Sequence, residues 1–481
     1  MTTQNSTRWQ RPLRRLVIGL AITSVVLPLS VIGLWRLYRD VVERTPPEVD
    51  SSNMIEAIGT MPVQLNLNIS DSLSGIAKVS IGLEQGDRTW PLEESDLRNE
   101  AEKKRFISYD LDINPQSLGL TEGYAYLVIH ASDRAISHTN IMNKRYRLIV
   151  DYTKPYLYTH VLEKEIYPGN ASIVLFSVKD TNLISTRVRV GTTFYSSYEA
   201  RFLGRNFLDL PTWRFALIAP QVGAEFTEKF TLVATDIAGN SSEVTMPITV
   251  TKDKSKRATA LTWRGVGEQL LESANKFSDE SRLGSFLAGD NAVKNTKLAE
   301  MMTAAKAHKE EMLSQIALNY TQTPSGSSVF SAPFVLKIAG KPVYGYADTA
   351  TYLFEDSSIT TIKEREVLIQ LQNRVPVVAA QAGKIILAQN MTPFGQFVAI
   401  DHGYGLVSVY GHLSEIKVSR DDYVDQGMTI GASGTSGIVP YESMSFQLFL
   451  CGQPIDPSSW QKEGWMKSLM DEAKVATLIR Q

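Results

Sequence analysis

From Ser443 to Cys451 apolar and polar residues alternate, which puts Met444, Phe446, Leu448 and Leu450 on one face of a strand. Ser443, Ser445 and Gln447 then face the other way. Upstream, the apolar runs Phe397 to Asp401 and Leu406 to Tyr410 flank a Gly-Tyr-Gly turn and predict a hairpin. Glu364 to Leu371 alternates as well, with Val367, Ile369 and Leu371 toward a core. With the Gly-rich turn Gly431 to Gly437, these signals predict a small antiparallel β domain over residues 331–462.

The same short period runs through the N-terminal half, where it repeats. "VQLNLNISDSLSGIAKVSI" (63–81) resembles "IVLFSVKDTNLISTRVRV" (173–190), and "AYLVIHASDRA" (125–135) resembles "FTLVATDIAGN" (230–240). Matching Asp71 to Asp180 and Asp133 to Asp236 gives offsets of 109 and 103 residues, so one β-sandwich is expected twice, over 54–152 and 153–252. The Asp-Ile-Ala-Gly-Asn turn (236–240) resembles the final hairpin of bacterial immunoglobulin-like domains, and Asp151 to Pro155 resembles the junction between two of them. Calcium is a conceivable ligand of these aspartates, but Asp and Asn in turns commonly cap their own backbone, and no run of oxygen ligands has calcium-site spacing.

Between Thr262 and Tyr320 the period changes to three and four residues in a stretch rich in Ala, Leu, Lys, Glu and Met. A helical segment with its linker is expected over 253–330, packed on a neighbouring domain, and a further helix over 463–481. Leu16 to Trp35 is an uncharged apolar run long enough to cross a bilayer, with Arg8, Arg11, Arg14 and Arg15 before it. It predicts a single-pass signal anchor over 16–35 with residues 1–15 in the cytoplasm, a linker over 36–53 and the bulk outside. A cleaved signal peptide is the other reading, although no A-x-A site follows the run.

The chain has 481 residues, 43% hydrophobic and 21% charged, enough for several domains. A formal net charge of −2 gives no basic field for nucleic acid, and one Cys excludes an internal disulfide.

The succession "VAIDHGYGLVSVYGHLS", "VDQGMTIGASGTSG" and "IDPSSW" resembles the lysostaphin or LytM-type zinc endopeptidases, antiparallel β domains of duplicated hybrid motif that cut bacterial cell-wall peptides. The resemblance covers about residues 345–460. It implies zinc ligands from an H-x-x-x-D and from the second His of an H-x-H, each with even spacing that keeps both side chains on one strand face. Here the Y-x-H-L segment is present as Tyr410 to Leu413, but the other positions differ. Anchored on "VPVVAAQAGKI", the first His falls on Glu364, the Asp on Leu368, and the H-x-H on Ser443-Met444-Ser445. The domain's other histidine, His402, reads as a solvated turn residue, and Cys451 as packing.

The expectation is therefore a mainly β chain: a single-pass membrane helix, two immunoglobulin-like sandwiches, a helical segment and a degenerate LytM-type domain. No catalytic residue, metal ligand or cofactor is expected. His412 would be vestigial, Glu364, Leu368 and Ser445 would be the altered zinc positions, and Glu364, Leu368, Tyr410, His412, Ser443 and Ser445 would line a binding groove. The resemblance implies an inner-membrane protein facing the wall, a non-enzymatic regulator or scaffold of peptidoglycan remodelling partnered by a cell-wall hydrolase or envelope complex. Two alternatives stay open: a zinc endopeptidase, active or completed by a partner, and a peptidoglycan-binding module.

Overall fold

The computed structural model describes residues 28–35, 44–136, 139–203, 207, 209–221, 228–251, 258–262, 291–319, 332–354, 357–391, 394–439 and 441–465. It is mainly β and divides into two compact units, residues 1–154 with 236–240, and residues 155–235 with 241–481. Residues 28–35 are helical; the rest of the expected anchor, most of the stretch 261–290, the linker 323–328 and the helix after Trp465 lie outside the described residues. Among the described residues no helix is long and apolar enough to cross a membrane.

In the first unit a three-stranded sheet and a five-stranded sheet enclose one core. Alternation supplies it: Leu65, Leu67 and Ile69 from Val63–Ser70 meet Val79, Ile81 and Leu83 from Ile76–Gln85 and Leu127 and Ile129 from Gly123–Asp133. The turn aspartates serve the backbone. Asp71 Oδ1 accepts from the amides of Leu73 and Gly75, and Asp133 accepts from the amide and side chain of Asn140.

In the second unit the strands of the second repeat join one seven-stranded sheet, running from Ser241–Met246 at one edge to Tyr156–Val161 at the other. Beside it lies an eight-stranded antiparallel sheet whose main order is Lys341–Tyr344, Val367–Gln370, Ser443–Leu450, Leu406–Leu413, Gln396–Gly403, Gly383–Asn390 and Tyr423–Val424; Gln453–Ile455 pairs with Ser443–Leu450. The two sheets share a core: the Tyr404 ring stands edge-on to Tyr198 at 5.0 Å and 5.6 Å from Phe215.

The eight-stranded sheet is covered on both faces. Met444, Phe446, Leu448 and Leu450 enter the shared core, as their alternation requires. On the opposite face Phe397, Ala399, Val407, Val409 and Phe449 meet Leu313 and Ala317 of one long helix, Asn291–Leu318. Its buried positions Met302, Lys309, Leu313 and Ala317 recur every four to seven residues and form one stripe.

Candidate functional site

Strand register assembles the expected groove. Leu368 pairs with Ser445 and Gln370 with Ser443, while Gly411 flanks Ser445 from the other side. Period two then puts Leu368, Ser443, Ser445 and Gln447 on the helix-covered face, with Glu364 and Glu366 continuing the row ahead of Leu368. All six are buried. Ser443 Oγ has no hydrogen-bond partner among the described residues.

His412 reaches this face by a local irregularity. Gln396 pairs with Leu413 and Val398 with Tyr410, so Gly411 and His412 together oppose Phe397 in a bulge. His412 takes a left-handed backbone, φ 62°, and lines the same small cavity as Glu366 and Leu368. Its Nδ1–H donates to the Ser436 carbonyl at 2.9 Å, since a carbonyl can only accept. Burial lowers the imidazole to about pKa 4, against the pull of Glu366. Gly411 has no room for a side chain, because a Cβ there would stand 2.5 Å from Ser445 Oγ and 2.6 Å from the Phe397 ring. Gly411→Ala should therefore destabilise the protein by about 1–3 kcal/mol through overpacking. An unchanged denaturation midpoint would show that the bulge yields freely.

The groove is filled by two lysines from the long helix. Lys306 Nζ lies 2.7 and 2.6 Å from the carboxylate oxygens of Glu364 and also meets the Tyr352 hydroxyl, which itself donates to Glu364 Oε1. One turn on, Lys309 Nζ lies 2.9 Å from both oxygens of Glu366, to which the Tyr344 hydroxyl also donates at 3.2 Å. Next to Lys309 in the helix, Glu310 pairs with Arg365 at 3.2 Å. Burial opposes ionisation of Glu366, yet Lys309, Lys306 and His412 outweigh it and hold the carboxyl at about 2. The cavity left between helix and sheet is about 30 Å³, room for a water or so but not for a peptide.

Two residues stand elsewhere than expected. Tyr410 belongs to the opposite face: its side chain enters the shared core against Phe446, and its hydroxyl accepts the Ala380 amide at 2.7 Å. It does not line the groove, because it keeps the parity of Leu406 while the bulge turns only His412. His402 is buried, not solvated; Nδ1–H donates to Ala382 O at 2.7 Å and Nε2 accepts from Ser408 Oγ at 2.7 Å. Cys451 is a buried free thiol whose pKa burial raises. Sequence reasoning did not find Lys306, Lys309, Glu366, Tyr344 or Tyr352. The available signal was a lysine at position 309 within the apolar stripe of Met302, Leu313 and Ala317.

Residues 364–457, the span holding this groove, match Peptidase family M23. The C-terminal domain is a peptidase M23 domain. The chain resembles the murein hydrolase activator EnvC of Escherichia coli, 24% identical over 197 residues, 40% of this chain and 46% of that protein. It also resembles the peptidoglycan DD-endopeptidase ShyA of Vibrio cholerae, 32% identical over 81 residues, 17% of this chain and 19% of that protein. Thus the chain spans less than half the length of the curated relatives it matches. Among solved structures, a putative peptidase M23 from Pseudomonas aeruginosa covers 62% of this chain with 95% of its own length, at 15% identity and a TM-score of 0.37. The catalytic domain of lysostaphin from Staphylococcus simulans covers 26% with 93% of its own length, at 27% identity and a TM-score of 0.22.

Active members of this family depend on zinc, and the M23 groove here does not fit that ion. A catalytic zinc site takes about three ligands from His, Asp, Glu or Cys. At the corresponding positions this domain offers Leu368 and Ser445, and the Glu364 carboxylate is engaged by an ammonium group. Among the described residues no cluster of three or more His, Cys, Asp or Glu could hold a metal ion. No hydrolytic step follows from this geometry.

Proposed function

We propose that the protein is a non-catalytic regulator of peptidoglycan remodelling, whose M23 domain serves as a binding module for a cell-wall hydrolase or an envelope complex. The observation that carries this reading is the pair of lysine–carboxylate contacts in the groove, Lys306 to Glu364 and Lys309 to Glu366. An ammonium held on these carboxylates can position and neutralise, but it cannot act as a Lewis acid toward water. A relative named as a murein hydrolase activator and another, from Caulobacter vibrioides, named as the cell division protein DipM support the regulatory class. In this reading Leu16 to Trp35 anchors the chain in the inner membrane, and immunoglobulin-like modules carry the M23 domain outside it. An alkaline wash should leave the full-length chain in the membrane fraction; its release would remove the anchor.

The central test is digestion of dye-labelled wall sacculi. The protein alone should release no dye and carry no stoichiometric zinc by elemental analysis, while increasing release by a wall hydrolase from the same cell. Dye release by the protein alone that a chelator abolishes would establish the zinc endopeptidase reading instead.

A further inference from the structure

A larger cleft opens elsewhere in the second unit, on a different side of the long helix. Its walls are the tip of the hairpin that joins Leu183–Val190 to Thr193–Glu199, the outer flank of Asn291–Leu318, and the turn between Ser443–Leu450 and Gln453–Ile455. Glu364, Glu366, Leu368 and His412 do not line it, so it is separate from the M23 groove. Its volume of about 670 Å³ falls within the span of small-ligand sites, about 300–1,000 Å³.

Glu310, Ser314 and Leu318 recur every four residues and bring one helix face to this cleft, with Gln315 beside them. Gly452, at φ 76°, seats the turn directly on that face: a Cβ there would stand 3.0 Å from both Leu318 Cβ and the Ser314 carbonyl oxygen. The lining is polar and nearly neutral. Arg365 is the one cation among the described lining residues, and Glu310 pairs with it at 3.2 Å. Gln221 Nε2 donates to Thr193 Oγ1, and Gln315 Nε2 to Glu311 Oε1, each at 3.1 Å. Those bonds hold the two amides in place, while each keeps a second N–H and a carbonyl to offer a ligand. Gln453 supplies a third amide. Two large apolar side chains stand in this polar setting: Phe194 is 46% exposed, even with the Arg187 guanidinium 5.9 Å from its ring centroid, and Leu318 is 47% exposed.

We propose that this cleft binds a neutral oligosaccharide. A pyranose carries hydroxyls around its rim and C–H bonds on its faces; the amides of Gln221, Gln315 and Gln453 match the first, and Phe194 and Leu318 cover the second. A phosphate or other polyanion would meet the Glu311 carboxylate and a guanidinium already paired with Glu310. A basic peptide would gain Glu311 and leave the amides unmatched. The site adds a carbohydrate-binding activity whether or not the M23 groove engages a hydrolase.

The probes are two fluorescein-labelled tetrasaccharides, one of N-acetylglucosamine and one of glucose, titrated into the full chain in detergent and read by anisotropy. Saturable binding of the acetylated probe alone would assign the cleft to amino sugars, and equal binding of both would assign it to neutral sugars at large; either outcome supports the proposal. Phe194→Ala and Gln315→Ala should each weaken binding by about five-fold or more, as loss of one ligand contact does. Tyr158→Ala removes an exposed ring that does not line the cleft, and should leave binding within about two-fold. Binding of neither probe, or binding unaltered in both cleft variants, overturns the proposal. If Phe194→Ala lowers the thermal midpoint, Gln315→Ala on the exposed helix surface decides alone, and unaltered binding in that variant overturns it. Displacement of the bound sugar by an equal concentration of tetralysine would assign the cleft to its carboxylates and overturn it as well.

Discussion

Lys309→Ala should lower the stability of the C-terminal domain by about 3–5 kcal/mol, as removal of one partner from a buried ion pair does. The pair is desolvated on both sides, with 9% of the Lys309 side chain and 4% of the Glu366 side chain exposed. Among the described residues, removal leaves the carboxylate the Tyr344 hydroxyl as its side-chain donor. Lys306→Ala should cost less, since Lys306 is 22% exposed and Glu364 keeps the Tyr352 hydroxyl. The matched replacement Lys309→Met with Glu366→Met should recover most of the loss, because two apolar side chains leave no charge behind. Hydrogen exchange along Ser443–Leu450, which lies under the helix, reads the change without assuming that the whole chain unfolds together. A Lys309→Ala domain within about 0.5 kcal/mol of the parent, the range of ordinary surface substitutions, would mean that water reaches the pair.

Acidification from pH 7 to 4 should destabilise the same domain through His402 and His412. Burial lowers each to about 4, from an ordinary 6.5. A depressed pKa means that the unfolded chain binds the proton first. The contribution is therefore whole above 6.5 and lost as pH falls toward 4, about 3 kcal/mol for each ring at the limit. Asp401 acts in the opposite sense: burial raises it to about 6, so its protonation favours the folded state as pH falls and offsets part of the loss. Glu366 is held at about 2 against an ordinary 4.5, so its share is whole above 4.5 and is lost progressively as pH falls from there to 2. His402→Gln should remove a large part of the loss between pH 6.5 and 4.5, measured by denaturant midpoints. An unchanged loss in that variant would mean that His402 is already charged when folded.

The sheet was legible because its periods are strong. Ser443–Leu450 alternates without interruption, and the Gly-Tyr-Gly turn places Gln396–Gly403 against Leu406–Leu413. The groove was legible only in part. Even spacing put Leu368 and Ser445 on one face, and the register agrees. Tyr410 stood beside His412 in a recognisable segment, but nothing local announces the bulge that separates their directions. His402 looked solvated because turn histidines usually are; its ring is satisfied by the Ala382 carbonyl, just ahead of the strand Gly383–Asn390, and by the Ser408 hydroxyl of Leu406–Leu413. The lysines were hardest to see. A Lys in a helical stripe normally reaches for water, and the carboxylates that hold Lys306 and Lys309 lie more than fifty residues further along the chain. The strands of the second repeat join one seven-stranded order, and pairing between distant strands leaves no local trace.

The helix that fills the groove belongs to the same chain as the strands beneath it, with only residues 319–340 between Leu318 and the strand that begins at Lys341. It therefore returns to the groove at an effective concentration of about 1 mM. A rival present at about 1 µM must bind the groove about a thousand-fold more tightly than this helix does to occupy half of the molecules. A weaker rival succeeds only by capturing the helix as well, so occupancy would follow the abundance of whatever holds the helix away.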